Sequence, residues 1–596
     1  MKIKVITGLK YIVLTVLCMS VLSCKRIFDF EPQNALSAGQ AYRNVYDADA
    51  AVLGIYGKFL SLAERYVVLN ELRGDLMDVT TNANMYLRQI NTHTETPDNP
   101  YVNPLPFYEV IMNCNNVLHN LQIMRQENRL TVDEYQQRYS DIGAIRCWLY
   151  LQLGIHWGEV PYVTEPIENV DDLKDQSKFA RIPFDQLLDK LVAFGESLPY
   201  KDQYPAGSSL QTTYDSYNMN KIYIFKKTIL GDINLWKGNW AKAAGYYNNV
   251  MNAADVLFPS RDNDQFFETY RIGYSTSING SKWSTIFQEP FNERYSNYEN
   301  IWVMPFDKNF APKNPFIDMF SVSGSYLFKP SFKAIQNWEN EESNTNTRVG
   351  DTFRKDGSYR ETIGGKNEIV KYLGKYSSGS PFETTGKWIL YRAGILHLRM
   401  AEAANRDNRS SLAYGLVNNG IRPAFDDPTD LRAASSKRSR NVTYIQQSAE
   451  VGSPYYLDAR EGDNPVWRGP LTRNVGIRAR VSLNNIVIDS AKYFDLNTPV
   501  VITKTNDVIT NIKYKPITNQ AGLTLFTENM IIKEAGEECA FEGYRWGDLL
   551  RIALRRNDTN YLASRVAAKF PVGSAEYNQV MSRLSDRANW YLPFKW

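Results

Sequence analysis

The chain has 596 residues, with 68 Lys or Arg against 65 Asp or Glu, a net charge of +3. So even a balance gives no basic footprint for nucleic acid, and a chain this long, 43% apolar, builds a large core in more than one region. Beyond the first 24 residues only Cys114, Cys147 and Cys539 remain, an odd set too sparse for a disulfide framework and expected as buried, unreactive thiols.

The first element is an export signal. Lys2, Lys4 and Lys10 precede an apolar run from Tyr11 to Cys18, broken only by Thr15, which closes on Val21-Leu22-Ser23-Cys24. A basic head, a short apolar stretch and small residues before a cut site define such signals. The stretch is shorter than the roughly 20 apolar residues that span a bilayer. Its last four residues resemble a bacterial lipobox, so residues 1–23 are read as a removed lipoprotein signal and Cys24 as the lipidated first residue; an ordinary cleaved signal is the alternative. The removed piece holds three lysines and no acid, so the remaining 573 residues balance at 65 against 65. No later stretch reads as membrane-spanning, which leaves the acyl chains as the anchor.

A polar tether, Glu31-Pro32-Gln33-Asn34, leads to a helix expected from Ser37 to about Leu62, with Val45, Ala48, Val52, Ile55, Tyr56 and Phe59 at helical spacing. A loop-rich stretch, Gly74 to Pro106, follows. The next helix runs from Phe107 to Met124. A capping box, Thr131 with Glu134, opens a third, whose apolar stripe ends at Trp157-Gly158 before Pro161. Between Lys221 and Val250 lies a repeat unit. Its Leu230-Gly231, Gly238-Asn239 turn, Ala243 and Tyr247 fall where a tetratricopeptide unit places them, and Ala401 with Ala413 repeats the twelve-residue spacing. From about Val256 to Lys387, and again from Pro423 to about Ala521, the helical period is lost. In the second stretch Ile486 to Ile488, Val500 to Ile502 and Val508 to Tyr514 read as strands, the last two pairing across Thr505-Asn506-Asp507. Helix returns at Glu528 and continues to about Arg556, with Glu538, Glu542, Arg545, Asp548 and Arg551 as a charge ladder on one face.

Three separated segments resemble the SusD/RagB family of nutrient-binding outer-membrane lipoproteins of Bacteroidetes. They are Ala144-Ile145-Arg146 through Trp157-Gly158-Glu159-Val160-Pro161; Tyr391-Arg392-Ala393 through Ala401-Glu402-Ala403-Ala404-Asn405; and Glu538 through Glu542-Gly543-Tyr544-Arg545 to Arg551. Trp590-Tyr591-Leu592-Pro593 fits the family's closing stretch. Cys539 stands where leucine is usual, and the region after Pro423 is longer than a compact member needs. The resemblance covers the whole mature chain. It implies a mainly α, tetratricopeptide-like helical repeat scaffold with long loop-rich insertions that hold a few short strands. The regions are 24–255 (N-terminal helical), 256–388 (loop-rich insertion facing ligand), 389–422 (helical repeat), 423–521 (irregular insertion) and 522–596 (C-terminal helical).

The resemblance further implies a lipid-anchored protein of the outer membrane facing the exterior, which binds oligosaccharides for a SusC-like TonB-dependent transporter. Peptide cargo, as in the RagB branch, stays open, as does a scaffold that binds proteins. Aromatics make up 13% of the chain, with 38 Tyr against 27 Phe, which fits half-exposed rings that stack on sugars. By position, the ligand candidates are Asp75, Asp78 and Arg88 after the first helix, then Tyr295, Tyr298 and Trp302, with Trp283 and Tyr326 second. A glycosidase using Glu538 and Glu542 is the enzymatic alternative; nearby arginines would keep both ionised, so no catalytic residue is expected. His93, His119, His156 and His397 are scattered, and neither a metal site nor a cofactor motif is present.

Overall fold

The computed structural model describes residues 42–167, 174–199, 221–251, 283–288, 299–343, 349–421, 474–493 and 517–595, with short pieces between them. The export signal, Cys24, Tyr295, Tyr298 and Asp507 lie outside the described residues.

Helix α1 (Val45–Leu60) begins where Asn44 accepts the Tyr46 and Asp47 amides, and it buries Ala48, Val52, Ile55, Tyr56 and Phe59. The stretch expected as loop beyond Gly74 holds strand β1 (Met77–Val79) and helix α2 (Met85–Thr92), capped by Asn84. Helices α3 (Leu105–Gln126) and α4 (Val132–Trp157) form an antiparallel pair, α4 opening on the capping box of Thr131 and Glu134 and closing at Gly158. Strands β2 (Glu159–Pro161) and β3 (Arg181–Pro183) pair antiparallel and lead into α5 (Phe184–Ser197), which packs on α4.

The repeat unit is a helical hairpin. Helices α6 (Lys226–Lys237) and α7 (Trp240–Met251) turn at Gly238, whose φ of +91° is left-handed, and at Gly231 the Tyr247 ring takes the space a Cβ would need. After it, strand β4 (Asn300–Phe306) and strand β5 (Phe328–Pro330) precede α8 (Phe332–Glu339). Among its described residues the 256–388 region is therefore not wholly irregular, since it holds these strands and α8. Strand β6 (Gly386–Arg392) pairs antiparallel with β4, and β1 pairs with β5.

A second hairpin, α9 (Ala393–Arg406) and α10 (Ser410–Val417), stacks on α7. Strands β7 (Ile502–Thr505) and β8 (Val508–Ile512) pair antiparallel as expected, with Thr505, expected in the turn, paired to Val508 instead, whereas Ile486 to Ile488 is coil. Helices α11 (Gln520–Glu538), α12 (Arg545–Arg556), α13 (Thr559–Ala567) and α14 (Ala575–Leu584) complete the frame. The fold is mainly α, with tetratricopeptide-like hairpins and, among the described residues, only short antiparallel strand pairs. No helix among the described residues is long and apolar enough to cross a membrane. Cys114, Cys147 and Cys539 are buried and unpaired, and burial raises the Cys114 and Cys147 thiols to about 12, which keeps them protonated.

Candidate functional site

The expected single helix from Glu528 to Arg556 is two helices. It breaks at Cys539–Tyr544 because Phe541 and Gly543 have φ of +71° and +89°, and a Cβ at Gly543 would overlap the Tyr66 ring. The buried carboxyl of Glu71 fixes this turn from outside, accepting the amides of Phe541 (3.0 Å), Gly543 (2.7 Å) and Tyr544 (3.0 Å). Burial lifts its pKa to about 7 despite those donors. Of the ladder read along one helix face, only the Asp548–Arg551 step, 2.9 Å within Arg545–Arg556, is present. Arg545 instead holds Asp75 through two bonds of 2.6 and 2.8 Å, and Arg551 holds Glu402 at 2.8 and 2.5 Å.

Glu538 and Glu542 take their cations from other elements. Arg392, at the end of β6, reaches Glu542 (Nε–Oε2, 2.7 Å), Glu538 (2.7 Å) and Glu299 (3.0 Å). Lys371 reaches Glu542 at 2.7 Å, Arg480 bonds Glu538, and Arg354 bonds Asp351, Glu534 (2.6 Å) and Glu537 (3.0 Å). Arg478 and Lys533 join through Glu341 and Glu534. Six cations (Arg354, Lys371, Arg392, Arg478, Arg480, Lys533) thus face seven carboxyls (Glu299, Glu341, Asp351, Glu534, Glu537, Glu538, Glu542) in one connected network.

Burial and the adjacent Glu534 push Glu537 well above the usual range. For Glu538 burial also pushes up, but Arg480, Arg392 and Arg354 outweigh it and hold it well below. Arg392 and Lys371 do the same for Glu542. Two sealed, ionised carboxylates have no proton to give a leaving group, so the pair does structural work.

Several ligand candidates are corrected by burial. Trp302 lies on β4, 1% exposed, its Nε1 donating to the Ile222 carbonyl at 2.9 Å and its ring stacked 5.4 Å from Phe59. Strand β4 is covered on both faces, so its aromatic run fills core. Trp283 is fully buried and donates to Glu538 at 3.2 Å, and Asp75 is the buried partner of Arg545. Tyr326 is also buried, its hydroxyl on the Asn367 carbonyl (3.0 Å) and Lys366 over its ring.

Asp78, Arg88 and Tyr326 meet around the β1–β5 pair. Asp78 lies opposite Lys329 and accepts from Asn91 at 2.8 Å, with the Lys329 ammonium 3.8 Å away. Arg88 is exposed, yet its guanidinium clamps the carbonyls of Ala83, Thr80 and Thr81 at 3.0–3.1 Å. Thr80 bonds the Tyr326 carbonyl, and Asn82 bonds that of Ser325 at 2.9 Å. Tyr326 holds a left-handed φ of +49° within this junction. The junction is a polar edge whose loops are tied to each other, with Asp78 and Arg88 reaching solvent.

No protein-family model matches the sequence, and no curated protein is similar to it. Solved structures are similar. A SusD superfamily protein from Bacteroides vulgatus ATCC 8482 superposes with a TM-score of 0.55 at 14% identity, over 92% of this chain and 96% of that one. Surface glycan-binding protein A from Bacteroides uniformis gives 0.53 at 13%, over 92% and 96%. A laminarin binding SusD-like protein gives 0.51 at 13%, over 91% and 98%. The chain has the SusD fold.

On this SusD-like frame two pockets open that none of the candidate residues lines. One, of about 500 Å3, is bordered by Tyr108, Met112, Val163 and Phe179 beside α3. The other, of about 650 Å3, lies where Trp157-Gly158-Glu159 meets Tyr591 and Phe594. Both segments are visible in the sequence as carriers of the SusD/RagB resemblance. That they face each other is a tertiary fact: the Leu592 amide donates to the His156 carbonyl at 2.8 Å. Among the described residues no group of three His, Cys, Asp or Glu is placed to hold a metal ion.

Proposed function

We propose that this chain is a cell-surface lipoprotein that binds oligosaccharides and passes them, unaltered, to a SusC-like TonB-dependent transporter of the outer membrane. Cys24 carries the lipid in this reading, and the mature 573 residues face the exterior. The reading rests on the extent of the fold likeness: neighbours that match over nine-tenths of both chains include proteins described as surface glycan-binding and as laminarin binding. Binding without catalysis is supported by the network around Glu538 and Glu542, which leaves neither carboxyl protonated or open to solvent. The polar edge at β1 and β5, with Asp78 and Arg88, is the face where hydroxyls would meet side chains.

The test is extraction from membranes in mild detergent. The account expects the protein in the membrane fraction, labelled by fatty acid at Cys24, and recovered with a large barrel protein. A Cys24→Ala chain should be released as soluble protein. Recovery without any barrel partner overturns the delivery step.

A further inference from the structure

The pocket at the C-terminal segment has its own binding chemistry. Its volume of about 650 Å3 lies within the range of small-molecule sites, about 300–1,000 Å3. One wall is Tyr591, half-buried and held from behind by the α4 terminus. Gly158, with φ of +72°, makes this approach possible, since a Cβ there would stand 2.8 Å from the Tyr591 ring. An aromatic ring fixed in this way is a platform for an apolar C–H face.

The polar wall has hydrogen-bonding capacity that the protein does not use. Glu95 lines the pocket, and its Oε2 is buried without a partner among the described residues. Burial raises its pKa, opposed by Arg73 and Arg583. An acceptor left in that state carries a desolvation cost that an incoming hydroxyl would relieve. Rotation of the terminal carboxyl torsion is soft and turns either oxygen to the pocket. Asn589 donates to the Arg583 carbonyl at 3.0 Å, which leaves its own oxygen as an acceptor, and Arg583 places Nε on the His93 carbonyl at 3.0 Å. Arg181, Arg583 and Arg587 line the pocket together with Glu95, Glu159 and Asp185, the last paired with Lys237 at 2.8 Å. Charges of both signs, mixed donors and acceptors and one fixed ring fit a neutral polyhydroxylated guest.

We propose that this pocket is a saccharide-binding site separate from the β1–β5 edge, taking a neutral sugar unit on Tyr591 with its hydroxyls shared among Glu95, Asn589 and Arg583. The proposal rests on the saccharide-binding reading above. Calorimetric titration of the mature protein with laminarihexaose, maltohexaose and xylohexaose, with tetra-alanine as the peptide probe, tests both. At least one hexaose is expected to bind. Tyr591→Ala should weaken it roughly tenfold, and Glu95→Gln, which keeps shape and fold, several-fold at an unchanged melting temperature. Equal affinity and stoichiometry in the parent and both variants overturns the pocket while leaving the function intact. Failure of every hexaose at millimolar concentration, or binding of tetra-alanine alone, overturns both.

Discussion

The buried network around Glu538 and the pocket beside Tyr591 use the same residue types to opposite ends. In the network nearly every oxygen has a cation: Arg392 alone spans Glu299, Glu538 and Glu542 across three segments of the chain. At the pocket, Glu95 keeps an oxygen without a partner and the arginines stand at the rim. Charged side chains therefore do not mark a functional site here. What separates scaffold from site is whether their bonding capacity is consumed inside the protein or left for a guest.

The largest test of that contrast is Glu538→Gln, which strands Arg392 and Arg480 in the interior. It should cost about 3–5 kcal/mol of unfolding free energy in denaturant titration; a cost under about 1 kcal/mol would mean the network is as loose as a surface pair.

Acid should reveal the same asymmetry. Glu538 and Glu542 are held below their ordinary value of 4.5, so their stabilisation is complete above that pH and is lost progressively as pH falls from there through their lowered native values. The melting temperature should drop between about pH 5 and pH 3, less steeply in Glu538→Gln, and a flat profile would contradict the assignment. Glu537→Gln is the internal control, since burial and Glu534 push its carboxyl well above the ordinary value; calorimetric melting should show a loss of about 1 kcal/mol or less. A loss as large as that of Glu538→Gln would contradict that direction. The smallest effect belongs to Glu95→Gln, within about 0.5 kcal/mol in the same measurement, because Arg73 and Arg583 keep their bonds to the Trp590 (2.7 Å) and His93 (3.0 Å) carbonyls.

Features set by local spacing were legible in the sequence. The hairpin at Gly238, the capping box at Thr131 and the β7–β8 pair each depend on residues a few positions apart. Misreadings arose where a distant segment decides. The four- and three-residue spacing from Glu538 to Arg545 imitates a helix face, but Glu71, far back in the chain, bonds the amides that turn it. Trp302 reads as an exposed ring in a loop-rich stretch, yet β6 pairs with its strand and Phe59 and Trp148 cover it. For Asp78, Arg88 and Tyr326 the chain order shows three polar or aromatic positions; only the β1–β5 pairing joins them. The pocket beside Tyr591 joins two motifs from opposite parts of the chain, each of which alone reads as a family marker.

The most direct measurement incubates the mature protein with a panel of neutral oligosaccharides and follows both complex formation and product release. The account predicts saturable binding of at least one glycan that is recovered intact after prolonged incubation. Cleavage of a glycosidic bond, or no binding across the panel, would contradict it.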